Sequence, residues 1–101
     1  MSPGGAGSGG ERPEQYVLAV DLGTGGPKVA VVSTTGRIVA HAARPVALHL
    51  IDGGGAEQDP DEWWSAIGAA SRQAVESAAV PADALIGVGC TAQWSGTVAV
   101  G

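Results

Sequence analysis

The segment Asp21-Leu22-Gly23-Thr24-Gly25-Gly26-Pro27-Lys28 separates two apolar runs, and it constrains the fold more than any other stretch of the chain. Tyr16-Val17-Leu18-Ala19-Val20 precedes it and Val29-Ala30-Val31-Val32 follows it. Both runs have the composition of strands. Glycine tolerates positive φ and carries no Cβ, so a turn holding Gly23, Gly25 and Gly26 can bring bare backbone N–H groups against an anionic ligand. Asp21, at the tip of the first strand, adds a carboxylate suited to a Mg²⁺ ion or its waters. Mg²⁺ is usually held by only one or two carboxylates plus substrate phosphates. The pattern is that of a phosphate-handling β-hairpin, with a plain glycine-rich turn as the alternative. It is not a P-loop, because Val29 and a strand follow Lys28 where Ser/Thr and a helix are required. Nor is it a dinucleotide-binding turn, since Gly23-Thr24-Gly25 runs into Gly26-Pro27-Lys28 rather than a helix.

Around this turn the chain divides into recognisable elements. Residues 1–14 are glycine-rich, nearly devoid of apolar side chains, and expected to form a flexible tail. Strands are expected at 15–21 and 27–33. Thr34-Thr35-Gly36 is a turn signal, and residues 37–42 read as a third, antiparallel strand, completing a meander. Residues 44–58, with Pro45 and Gly53-Gly54-Gly55, read as a loop in which Leu48-His49-Leu50-Ile51 is a candidate for local strand. Asp59 is a suitable N-cap, Pro60 fits the first helical position, and Glu62 completes a capping-box pattern. A helix is therefore predicted from Pro60 to about Ala79, ended by Pro81. Trp64, Ile67, Ala70/Ser71, Ala74/Val75 and Ala78 form its apolar stripe. Gly68 within it suggests close packing against a neighbour. Residues 85–91 read as a buried strand reached by a crossover, hence paired in parallel with an earlier one.

Composition excludes several classes of function. The net charge is −5 and the five Lys and Arg residues form no cluster, which argues against nucleic acid or an anionic membrane surface as partner. The single cysteine, Cys90, allows no internal disulfide and reads as a small buried hydrophobe. His41 and His49 lack ligand spacing and are expected at the surface. No run reaches the ~18 apolar residues of a membrane span, and the N-terminus lacks the apolar core of a signal peptide. A soluble, cytoplasmic protein is the expectation.

Three segments together resemble a known family. The Asp21-x-Gly23-Thr24-x-x-x-Lys28 pattern looks like the first phosphate loop of the FGGY carbohydrate kinases, which act on xylulose, glycerol, gluconate or ribulose. Glu57-Gln58-Asp59-Pro60-x-x-Trp63-Trp64 is similar to the opening of that family's first long helix, above all in xylulokinase-like members. Ile86-Gly87-Val88-Gly89-Cys90-Thr91-Ala92-Gln93 resembles its strand ending in a substrate-side glutamine. The resemblance runs from about Tyr16 to the last residue. It implies an α/β fold, the N-terminal part of an actin/hexokinase-like (ribonuclease H-like) ATPase domain: a β-meander, a helix and a parallel strand, incomplete. On this basis residues 15–101 are a partial kinase N-terminal domain, the first part of a longer two-domain enzyme.

The same resemblance implies the site. ATP and Mg²⁺ are the expected cofactors, and a small sugar or polyol is the expected substrate. Asp21 is the expected metal-side carboxylate. Gly23, Thr24 and Gly25 would offer donors to phosphate oxygens, and Lys28 a cation. Gln93 matches the substrate glutamine, but Trp94 and Ser95 depart from the Gln-Met-His-Gly of xylulokinase-like sequences and the Gln-Arg-Glu-Thr of glycerol kinases. Neither substrate can therefore be carried over, although Trp94 can stack on a sugar. The family's catalytic base lies beyond the segment matched here, so the chain alone is expected to be inactive. Two other readings stay open: another actin-like ATPase, and a non-catalytic α/β remnant whose glycine loop is only a turn.

Overall fold

The computed structural model describes residues 14–92. Residues 1–13 of the glycine-rich tail expected at 1–14, the expected substrate-side residues Gln93, Trp94 and Ser95, and the apolar run at 97–100 lie outside them. Six strands and one long helix are described: β1 (Tyr16–Gly23), β2 (Gly26–Ser33), β3 (Ile38–Ala43), β4 (His49–Ile51), β5 (Gly55–Glu57), α1 (Pro60–Ala78) and β6 (Leu85–Ala92). A short 3-10 turn at Ala82–Ala84 leads into β6. The main sheet has the order β3-β2-β1-β6, with β4 and β5 forming a separate two-stranded hairpin. β1, β2 and β3 are antiparallel neighbours, and β6 returns parallel to β1. The fold is thus α/β, a meander followed by a helix and a parallel strand, as the sequence leads one to expect.

Alternation along β2 shows which face of the sheet the helix covers. Pro27, Val29, Val31 and Ser33 are buried, whereas Lys28 between them is exposed. Val20, Val29, Val31 and Ala42 from the sheet meet Ala70 and Ala74 from α1, with Leu18, Ile67 and Val75 packed around them. Ala70 and Ala74 are fully buried. Their small side chains let the helix lie close to β2 and β3, where nearly all of its contacts fall. Each valine buried there contributes roughly 1.5–3 kcal/mol by transfer out of water.

The helix starts where its cap predicts. Asp59 is extended, and its Oδ1 accepts from the Asp61 N–H at 2.9 Å. The second half of the expected capping box is not formed. Glu62 turns instead to His49 on β4, with Oε1 3.0 Å from Nε2. α1 ends at Ala78, and the cap residue Ala79 adopts the left-handed conformation and donates to the Val75 and Glu76 carbonyls. Trp64, expected on the packing stripe, is 78 % exposed. The buried stripe runs through Ile67, Ala70 and Ala74, and Trp64 lies off it. Nor has Gly68 a close neighbour among the described residues, where a Cβ would meet only Nη1 of Arg72, at 3.4 Å.

Two further expectations change. Residues 44–58 hold a hairpin rather than a plain loop: β4 and β5 join through Asp52, Gly53 and Gly54, with φ of 88° and 87° at the two glycines. The Asp52-Gly53 pair is a strong hairpin signal, but the short flanking strands hide it. The parallel strand β6 is not buried. Val88 is 66 % exposed and Cys90 is exposed, because α1 lies over β2 and β3 and leaves β6 uncovered among the described residues.

At the end of the meander away from the glycine turn, polar side chains tie the strands together. Ser33 is buried, its Oγ bonded to Thr35 Oγ1 at 2.8 Å and accepting from the Arg37 N–H at 3.0 Å. Glu14, expected to end the flexible tail, accepts from Tyr16 Oη at 3.0 Å and from Arg37 Nη2 at 2.7 Å. The Tyr16 hydroxyl, with Arg37, holds the Glu14 carboxyl below its ordinary range. The same bond raises the Tyr16 phenol.

Candidate phosphate-binding site

The strands expected to stop at the edges of the glycine segment run into it, so the turn is tighter than its composition suggests. Gly23 pairs with Gly26, leaving Thr24 and Gly25 as a two-residue tip. Both tip residues are exposed. Gly26 has φ of 127°, and a Cβ there would lie 2.0 Å from the Arg44 carbonyl oxygen and 3.0 Å from the Val46 nitrogen. A side chain is therefore excluded twice, by backbone conformation and by the chain crossing it. That crossing segment is the exit from β3. Arg44 N–H donates to the Pro27 carbonyl at 3.2 Å, and Val46 N–H to the Gly25 carbonyl at 3.1 Å. Pro27 lacks a donor of its own, but its carbonyl still takes part in this pairing. A third clasp comes from just ahead of α1, where Gln58 Nε2 donates to the Thr24 carbonyl at 2.7 Å.

Asp21 and Lys28 stand directly opposite each other on β1 and β2. Lys28 lies on the face turned away from α1, and cross-strand partners share a face. Both are exposed, and neither makes a side-chain hydrogen bond or ion pair with the described residues. Thr91 on β6 is level with Asp21 on its other side, and Ala43 on β3 is level with Lys28. Threonine, aspartate and lysine therefore form a row across three strands, at steps of ~4.8 Å.

Two depressions meet at this row. One, of about 420 Å³, lies at the turn and is lined by Asp21, Thr24, Gly25, Lys28, Arg44 and Pro45. The other, of about 390 Å³, extends over the sheet past Ala19, Ala30 and His41 and shares Asp21 and Lys28 with the first. A carboxylate, two cations and an exposed glycine tip thus border one opening. Such a set suits an anionic ligand with a partly hydrated divalent ion. The donor set is not that of an all-protein metal site, as the described residues hold no group of three or more His, Cys, Asp or Glu able to grip a cation.

Asp21, Gly23, Thr24, Gly25 and Lys28, singled out in the sequence, come together at this turn. Gln93, Trp94 and Ser95 follow β6 outside the described residues, although Ala92 pairs with Leu22 at the same edge of the sheet. His41 and His49 are both exposed. Sequence reasoning missed Arg44, Gln58 and Thr91. The meander itself signals Arg44, because the end of a third antiparallel strand must return to the turn between the first two. Gln58 was masked by the capping role of its neighbour Asp59, and Thr91 by its place in an apolar run.

Residues 16–101 match the model of the FGGY family of carbohydrate kinases, N-terminal domain. The chain is 34 % identical over 84 residues to a glycerol kinase of Citrifermentans bemidjiense, covering 83 % of this chain and 17 % of that protein. A glycerol kinase of Ralstonia nicotianae is 36 % identical over 84 residues, with the same 83 % and 17 % coverage. A xylulose kinase of Staphylococcus epidermidis is 28 % identical over 87 residues, covering 86 % of this chain and 18 % of the relative. The chain thus spans less than a fifth of the length of these relatives. With a match that begins at the first strand of the meander and takes in the glycine turn, the helix cap and β6, the chain belongs to the FGGY family of carbohydrate kinases and carries sequence of its N-terminal domain.

Proposed function

We propose that this chain supplies the first phosphate loop of an ATP-dependent kinase acting on a sugar or polyol hydroxyl. The observation that carries the proposal is the pairing of Asp21 with Lys28, both exposed, at the base of the two-residue tip formed by Thr24 and Gly25. When bound, MgATP supplies the phosphoryl group, and its metal neutralises charge on the phosphate oxygens. Asp21 would hold the metal through a water, consistent with a site in which few carboxylates are protein-borne. Lys28 and Arg44 are point charges for phosphate oxygens, and the tip offers backbone N–H groups and the Thr24 hydroxyl. Positioning and charge neutralisation are the main tasks in phosphoryl transfer, and these residues perform both. Gln93, Trp94 and Ser95 are the proposed contacts to the sugar or polyol. No general base is assigned within the chain, so the 101 residues alone should bind nucleotide weakly and not turn over.

A thermal-shift titration tests this. MgATP should raise the melting temperature of the chain, and Asp21→Asn should abolish that rise. The unliganded melting temperature should barely change, because the Asp21 side chain makes no hydrogen bond or ion pair among the described residues. An equal MgATP shift in the variant would remove Asp21 from the site. No shift in the wild-type chain would favour a turn without a ligand.

A further inference from the structure

We propose that Gln58 is a positioning residue for the phosphate turn, its side-chain amide orienting the Thr24–Gly25 peptide so that the Gly25 N–H faces the bound anion. The inference rests on the phosphate-binding role proposed above. It starts from one contact between residues far apart in the chain, Gln58 Nε2 to the Thr24 carbonyl at 2.7 Å.

The peptide that Gln58 grips is the central one of the turn. With Gly23 and Gly26 paired, Thr24 and Gly25 are the two central residues. The standard four-residue turns that share a chain path differ chiefly in the orientation of this one peptide. A flip there reverses the direction of a carbonyl and of an N–H. At an exposed tip with glycine as one of its two residues, local sterics do little to prevent that flip. The described peptides are all trans, so the carbonyl and N–H of one unit point in opposite directions. Drawing the Thr24 carbonyl toward residue 58 therefore turns the Gly25 N–H away from it. Gly25 borders the opening that also holds Asp21 and Lys28.

The clasp is itself anchored. Gln58 directly precedes Asp59, whose side chain caps α1 through the Asp61 N–H at 2.9 Å. The helix packs on β2 and β3, so the donor is held against the same sheet that carries the turn. The next peptide is fixed independently, by Val46 N–H on the Gly25 carbonyl at 3.1 Å. Gln58 thus holds a tip peptide that the Arg44 and Val46 hydrogen bonds of the β3 exit do not reach. Losing its donor would let the tip sample both orientations, and the anion would have to select one of them.

The test is an NMR titration of the ¹⁵N-labelled chain with MgATP, and separately with inorganic phosphate, following the amides from Asp21 to Lys28. Two variants are compared with wild type: Gln58→Ala, and Gln58→Glu, which keeps the side-chain length but has no N–H. The Gly25 amide should shift on titration of the wild type. Both variants should need about two- to tenfold more ligand, the worth of one hydrogen bond, with the Gly25 amide already displaced before ligand is added. An unchanged midpoint in the variants overturns the inference, whether or not they melt earlier, since the tie would then be structural only. A response at Asp21 and Lys28 with none at Gly25 overturns it too, while the phosphate-binding role survives. No response anywhere in the wild-type turn removes that role, and the inference with it.

Discussion

Gly26→Ala should be among the most damaging single-atom-group additions in this chain, while Gly25→Ala, one residue away, should be nearly silent. At Gly26 the new methyl would lie 2.0 Å from the Arg44 carbonyl oxygen and 3.0 Å from the Val46 nitrogen, both backbone atoms. No rotamer change relieves that clash, so the β3 exit must move. Moving it strains or breaks the hydrogen bonds from Arg44 to Pro27 and from Val46 to Gly25, each worth about 0.5–1.5 kcal/mol net. The φ of 127° adds backbone strain for any L-residue with a Cβ, of order 1–3 kcal/mol. Together the loss should be about 2–6 kcal/mol, a large part of the ~5–15 kcal/mol that holds a domain folded. At Gly25 nothing among the described residues lies within 4 Å of the added atom, and φ is outside the left-handed region. Urea unfolding followed by tryptophan fluorescence gives both values, from midpoint and slope. Equal losses for the two variants, or a loss under about 1 kcal/mol for Gly26→Ala, would refute the packing of the β3 exit over the turn.

Three further predictions concern stability. The Tyr16 hydroxyl and Arg37 hold the Glu14 carboxyl below its ordinary value of 4.5. Its contribution is therefore present above the unfolded pKa and lost as the pH falls through the lower folded value. The melting-temperature gap between wild type and Glu14→Gln should narrow as the pH is lowered below 4.5; a gap constant across that range would exclude the contact. At the alkaline end the raised Tyr16 phenol acts in the opposite sense, its stabilisation lost as the pH rises through a value above 10. Gly68→Ala should stabilise the chain by up to about 1 kcal/mol, the helix-propensity difference, since the added methyl meets only the mobile end of Arg72. A destabilised Gly68→Ala in the same urea assay would reveal a close neighbour on that face.

Signals acting over a few residues were legible in advance. The glycine turn between β-branched runs, the Thr34-Thr35-Gly36 turn, and the Asp59-Pro60 start of α1 all act locally, so the three-stranded meander and the helix follow from them. The parallel pairing of β6 follows too, because the chain between β1 and β6 includes a helix rather than a tight turn. The grouping of Asp21, Gly23, Thr24, Gly25 and Lys28 at one turn was likewise evident, since glycine spacing and a strand-end aspartate are local features.

Burial and long-range contact were not. β6 has the apolar composition of a buried strand, yet it is exposed, because which strands a helix covers depends on where the helix comes to rest. Trp64 satisfies a helical period but lies off the face that alanines bring close to the sheet. Glu62 makes a sound capping residue until β4 offers His49 as a partner. The roles of Gly26, Arg44 and Gln58 appear only when the segment at 44–58 is folded back over the turn. Sequence by itself determined the meander, the helix, the parallel strand and their order, since backbone sterics and side-chain type act over neighbouring residues. Tertiary structure alone decided which glycine must remain a glycine and which distant donors hold the turn's peptides, because both depend on atoms brought together from separate parts of the chain.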